Sequence, residues 1–237
     1  VLILKTLYGS KYNTALIFMG GTCLRICYDI PRFSEDLDFN LATKEFDFLE
    51  MLSYLNNDLR KMGIKVDVVG KAEKIVYKGF IRFSDVLYKF KLSPHKDQKL
   101  SIKFEIDSNP QKNYINETNI ISKFGFNFII KNVNLSSMMA GKIHACFSRG
   151  YYKGRDFYDL IWYLNKKIEP NFKLLQEFKM NIKNRVELID YLNQEIRKIK
   201  INVVVKDAYQ FLEDKSEIKI LENIKELYPQ VAKRYLL

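Results

Sequence analysis

The chain has 237 residues, 47% of them apolar and 14% aromatic, which excludes a disordered chain and allows one large domain or two small ones with their own cores. No apolar run approaches the roughly 20 residues that cross a bilayer, so no membrane partner is expected. The net charge of +11 divides as +5 over residues 1–133 and +6 over residues 134–237, a diffuse excess that suits RNA or a nucleoside triphosphate and equally a merely lysine-rich protein.

In chain order, the apolar stretch 14–19 reads as a strand that stops at Gly20-Gly21, and residues 22–28 read as a short helix ended by Pro31. Residues 36–41 read as a strand. The spacing of Phe46, Leu49, Leu52 and Leu55 predicts a helix over 43–62, with Thr43 as its N-cap and Gly63 at its stop. From Ile64 the period changes to two. IKVDVV, KIVYKGFIRF, VLYKFKL and LSIKFEID are expected as half-buried strands, antiparallel because their links are short, and NFIIKNVN as one more. From Leu135 the pattern is helical: 135–148, 156–166, 171–180, 185–199, 203–214 and 217–235. The expected class is therefore α+β. A mixed or antiparallel sheet domain over 1–133 is followed by an all-helical domain over 134–237.

Position 1 is Val, so the native N-terminus is expected further upstream. The opening VLILKTLYG carries no basic leader, which together with three unpaired-looking cysteines (Cys23, Cys27, Cys146) suggests a reducing, cytoplasmic setting. Neither His95 nor His144 has metal-ligand spacing. His144 reads as a structural histidine and Trp162 as core.

The chemistry-bearing stretch is PRFSEDLDF, residues 31–39. In a strand Asp36 and Asp38 share a face while Leu37 and Phe39 enter the core. Paired carboxylates repel unless a cation is present, and hard oxygen donors at this spacing suit magnesium. On a second strand Lys103, Glu105 and Asp107 share a face. Asp107 is expected as the third carboxylate, with Glu105 its rival, which together would make a two-metal site. Upstream, Gly20, Gly21 and Thr22 stand at a strand-to-helix junction, where glycines admit close approach and a helix N-terminus offers N–H groups to phosphate. Plain turn glycines are the alternative. Lys142 and Arg149 share one helix face and suit triphosphate oxygens. Arg155 and Asp156 open the next helix, either to orient Lys142 or the nucleotide, or only to favour the helix dipole. Tyr151 and Tyr152 suit stacking on a base, or core packing.

GGTCLR followed by PRFSEDLDF, and later GKIHACFSRGYYKGRDFYDL, resembles the AbiEii/AbiGii-type toxins of the DNA polymerase β-like nucleotidyltransferase superfamily. The resemblance covers about residues 16–165 and rests on Gly20, Gly21, Asp36, Asp38 and Asp107, with Thr22, Arg25, Arg32, Ser34 and Glu35 as family-specific additions. It implies a helix before the Gly-Gly strand and catalysis and metal binding by Asp36, Asp38 and Asp107. It also implies nucleotide contacts from Gly20, Gly21, Thr22, Arg25, Arg32, Ser34, Lys142, Arg149, Arg155 and Asp156. The implied reaction transfers an NMP from an NTP, with Mg2+ or Mn2+, to an acceptor hydroxyl. The implied acceptor is RNA, plausibly a tRNA 3′ end, and the implied role is that of a toxin with a cognate antitoxin. A small-molecule or protein acceptor, and a non-catalytic nucleotide- or RNA-binding module, stand as alternatives.

Overall fold

The computed structural model describes residues 1–73 and 75–237; Lys74, where one expected strand begins, lies outside the described residues. The described chain forms two compact units. One holds Val1–Tyr28, Ser34–Pro110 and Asn116–Asn132, and the other holds Asp29–Phe33, Gln111–Ile115 and Val133–Leu237.

The first unit is built on seven strands: β1 (Leu16–Met19), β2 (Leu37–Leu41), β3 (Val66–Ala72), β4 (Val76–Phe83), β5 (Leu100–Asp107), β6 (Asn116–Lys123) and β7 (Phe126–Val133), in the order β3-β4-β5-β2-β1-β7-β6. A short link makes β3–β4 antiparallel as expected, and β5 also pairs antiparallel with β4 although residues 84–99, which include a further short helix, intervene. β2 pairs antiparallel with β1 but parallel with β5, because the long excursion from Leu41 to Leu100 returns the chain in the same direction. Parallel pairing of β1 with β7 completes a mixed sheet. β6 escaped the sequence pattern because it is polar and mostly exposed, with only Ile121 buried.

With the sheet run α1 (Leu2–Tyr8), α2 (Gly20–Tyr28) and α3 (Phe48–Lys61). α3 starts later than expected. Asp47 caps it by accepting the Glu50 N–H, whereas the Thr43 hydroxyl accepts from Glu45 in a local turn. Phe48, Met51, Leu52, Leu55 and Leu59 form its buried stripe. At its end Ile64 N–H reaches Leu59 and Gly63 N–H reaches Arg60, a Schellman stop. VLYKFKL is not a strand. Its first four residues form the one-turn helix α4 (Val86–Lys89), none of whose side chains is buried, so the alternation had no face to fill.

The second unit is helical: α5 (Leu135–Ser148), α6 (Gly154–Asn165), α7 (Phe172–Glu177), α8 (Arg185–Lys198), α9 (Ile201–Tyr209), α10 (Ile218–Glu222) and α11 (Ile224–Leu236). The last expected helix, 217–235, is thus broken at Asn223. Leu160, Tyr163, Leu188, Leu192 and Tyr235 are fully buried in its core. Trp162 is not core: it is half-exposed on α6, with the Lys166 ammonium 5.3 Å from its ring. His144 stacks on Phe178 at 4.4 Å, and burial lowers its pKa, as suits a structural neutral imidazole.

Candidate active site

In the sheet unit, β1 runs straight into α2. Gly20 makes the junction with φ +79, and a Cβ placed there would collide with the Asp38 carboxylate. Glycine is required twice over, for the backbone angle and for the approach. Gly21 is half-buried in the first turn of α2, whose leading N–H groups have no intrahelical acceptors. We expect Gly20→Ala to lose at least about 1–2 kcal/mol from the left-handed angle alone, with a further loss from displacing Asp38. A fall in Tm together with a fall in activity in the same variant would register both effects.

Asp36 and Asp38 are half-exposed, while Leu37 and Phe39 are buried, so the alternation holds. The Thr22 hydroxyl is bonded to the Ser34 hydroxyl at 2.9 Å and to the Asp36 backbone carbonyl. A carbonyl only accepts, so the Thr22 proton goes to it. Thr22 and Ser34, expected as phosphate contacts, are here engaged in fastening the aspartate loop to α2. Arg25 lies half-exposed one turn beyond Thr22, and its backbone carbonyl accepts from Lys123.

The register between β2 and β5 decides the third carboxylate. Asp38 pairs with Glu105, whereas Asp107 pairs with the buried Asn40, one side-chain repeat of about 6.6 Å further along. Asp107 also accepts the Asn109 N–H at 2.9 Å, capping the turn that ends β5. The register therefore sets Glu105, rather than the expected Asp107, beside Asp38. Lys103 belongs to the same face. Its ammonium is 3.0 Å from Glu105. Burial opposes its charge, but the bond to Glu105 and the charges of Glu105, Asp36 and Asp38 outweigh that, and its pKa is raised. Among the described residues no three His, Cys, Asp or Glu side chains form a metal cage, so neither Asp36, Asp38 and Asp107 nor Asp36, Asp38 and Glu105 form one. The donor set nevertheless fits a hard divalent ion: it is all carboxylate oxygen, on one face, and a cation already stands there as Lys103.

The helical unit holds a second charged cluster. Lys142 on α5 bonds Asp156 at 2.7 Å and Asp159 at 2.9 Å, both on α6. Arg149 lies just past the end of α5 and reaches Asp156 at 2.8 Å, so Asp156 bonds both Lys142 and Arg149. Arg32 was expected at phosphate. It is instead 2% exposed and grips Asp159 with both prongs of its guanidinium, at 2.5 and 2.7 Å. Its segment is held by α9 and the residues that follow it: Phe33 N–H donates to the Phe211 carbonyl, and Arg32 bridges to Leu212. Arg155 stacks its guanidinium 4.0 Å from the Phe211 ring. Tyr152 packs edge-on against Phe157, while Tyr151 is exposed.

Residues 2–214 match the model of the nucleotidyl transferase AbiEii toxin family, type IV toxin–antitoxin system. The chain belongs to the AbiEii family. Two solved structures share its fold. JHP933 from Helicobacter pylori has a TM-score of 0.61 at 20% identity, over 98% of this chain and 88% of that one. MenT4, the nucleotidyltransferase toxin Rv2826c of Mycobacterium tuberculosis H37Rv, has a TM-score of 0.58 at 15% identity, over 98% and 83%. No curated protein matches. The α+β class, with a mixed sheet and C-terminal helices, agrees with these likenesses. This AbiEii chain is a nucleotidyltransferase of a toxin–antitoxin family. The residues that carried the resemblance do two kinds of work in it. Gly20, Asp36 and Asp38 assemble the carboxylate face, while Arg32, found in the same nine-residue stretch as the aspartates, ties its segment to α6 through Asp159.

Proposed function

We propose that this AbiEii enzyme transfers an NMP from an NTP to the 3′ hydroxyl of an RNA such as a tRNA, as the toxin partner of a cognate antitoxin in the cytoplasm. The observation that carries the reading is the face of Asp36, Asp38 and Glu105 set against Gly20 at the start of α2. Asp36, Asp38 and Glu105 would hold Mg2+ or Mn2+, and the bound ion supplies charge neutralisation for the triphosphate. The N–H groups opening α2 offer donors to phosphate oxygens. A carboxylate of the face accepts the proton of the acceptor hydroxyl. The hydroxyl oxygen bonds to the α-phosphorus, the bond from that phosphorus to the bridging oxygen breaks, and pyrophosphate leaves. In the helical unit Arg32, Lys142 and Arg149 are paired with Asp156 and Asp159. Arg149, partly exposed, is the group we assign to phosphate there.

The net charge of +11 favours RNA over a small acceptor. Cys23, Cys27 and Cys146 are free thiols, which supports a reducing cytoplasm. Incubating the enzyme with α-labelled NTPs and either total RNA or total protein separates the acceptors. Label in RNA is expected; label confined to the protein fraction would make a protein side chain the acceptor.

A further inference from the structure

Lys103 has no part in the reaction just described, yet it stands among the charges that carry it. Leu37 pairs with Phe104, so the register brings Asp38 alongside Glu105, with Asp36 immediately before β2. The Lys103 side chain is about one-third exposed, and its ammonium is 3.0 Å from the Glu105 carboxylate. Across the other edge of β5 the register partner of Glu105 is Lys78, but the Lys78 ammonium is bonded to Glu73 at 2.9 Å. Lys103, bonded to Glu105 on this face, is therefore a cation that serves it. An ammonium with three donors against several carboxylates does the same electrostatic work as a bound metal ion, with half the charge.

We propose that Lys103 is an internal counter-ion that neutralises Asp36, Asp38 and Glu105 in the metal-free enzyme and is displaced from Glu105 when a divalent cation binds. This rests on the reading of that face as the metal-binding face. Metal uptake is then a cation exchange. The displaced ammonium needs a new anionic partner, and the triphosphate is the one the reaction brings. Metal and nucleotide accordingly strengthen each other's binding, by the same factor in both directions. Without Lys103 the carboxylates would bind metal tightly before any nucleotide arrived.

The test is Mn2+ binding followed by electron paramagnetic resonance, without nucleotide, in the parent, Lys103→Met, Lys103→Gln, Lys103→Arg and the double variant Asp36→Asn/Asp38→Asn. Removing one positive charge a few ångströms from a divalent ion should tighten Mn2+ binding about tenfold to a hundredfold in Lys103→Met and Lys103→Gln. Lys103→Arg should stay within about threefold of the parent. Adding NTP should tighten Mn2+ binding in the parent and do so less in Lys103→Met. Unchanged or weaker Mn2+ binding in both neutral variants overturns the counter-ion role alone. Parent Mn2+ binding that survives Asp36→Asn/Asp38→Asn overturns the metal-face reading, and the counter-ion with it.

Discussion

Asp38→Asn is expected to lower nucleotidyl transfer on the order of a thousandfold while leaving Tm unchanged or higher. The loss follows from its position: Asp38 is adjacent to Gly20 on one side and is the register partner of Glu105 on the other. Removing a carboxylate from the place where phosphate charge must be balanced withdraws electrostatic stabilisation that a preorganised site supplies in full. The gain in stability follows from the same crowding, since like charges held on one face are a cost of function. The register makes the prediction sharper. Glu105→Gln should be nearly as damaging as Asp38→Asn. Asp107→Asn should cost no more than about fivefold, because Asp107 lies one repeat away and already caps the turn at Asn109. Rates from α-labelled NTP, measured beside thermal melts, check all three. A large loss for Asp107→Asn with a small one for Glu105→Gln would reverse the assignment.

Arg32→Ala is expected to cost about 3–5 kcal/mol, a drop in Tm on the order of 10 °C. Arg32 is fully buried and both its prongs bind Asp159, itself 0% exposed, so its removal strands a buried carboxylate. Lys142 at 2.9 Å can compensate only in part, since it also bonds Asp156. Arg32→Lys should not restore stability, because an ammonium cannot reproduce the planar fork. The same cluster sets an acid limit. Burial alone would raise the Asp159 pKa, but Arg32 and then Lys142 outweigh it and hold it below the ordinary 3.8. Below that ordinary value the unfolded chain takes up a proton that the folded chain still refuses. The stabilisation is thus complete above about pH 4 and disappears as pH falls through the lowered folded value. Asp159→Asn should flatten this acid limb of the stability–pH curve, measured by denaturant melts between pH 2 and 5.

What could be read from the residues was whatever depends on local order. Gly20-Gly21 at a strand end, the alternation through Asp36 and Asp38, and most of the C-terminal helices are properties of short stretches, and the structure keeps them. Glu105 and Asp107 could not be told apart, because period two places both on one face and only the pairing partner separates them. Arg32 looked like a phosphate ligand because burial does not show in a loop sequence; its partner is 127 residues away. The N-cap was misplaced because Thr43 and Asp47 are both capping residue types, and Asp47 has the better geometry, with Glu50 three residues on. α4 and β6 failed in opposite ways. The first alternates without a buried face, and the second is an edge strand without an apolar pattern.

The most direct test of the carboxylate face is transfer of label from α-labelled and γ-labelled NTP to RNA by the parent and by Asp36→Asn/Asp38→Asn, each shown to be folded by its melt. The account predicts label in RNA from the α-position only, pyrophosphate as co-product, and no transfer by the double variant. Transfer at the parent's rate by the folded double variant, or label entering RNA from the γ-position, would contradict it.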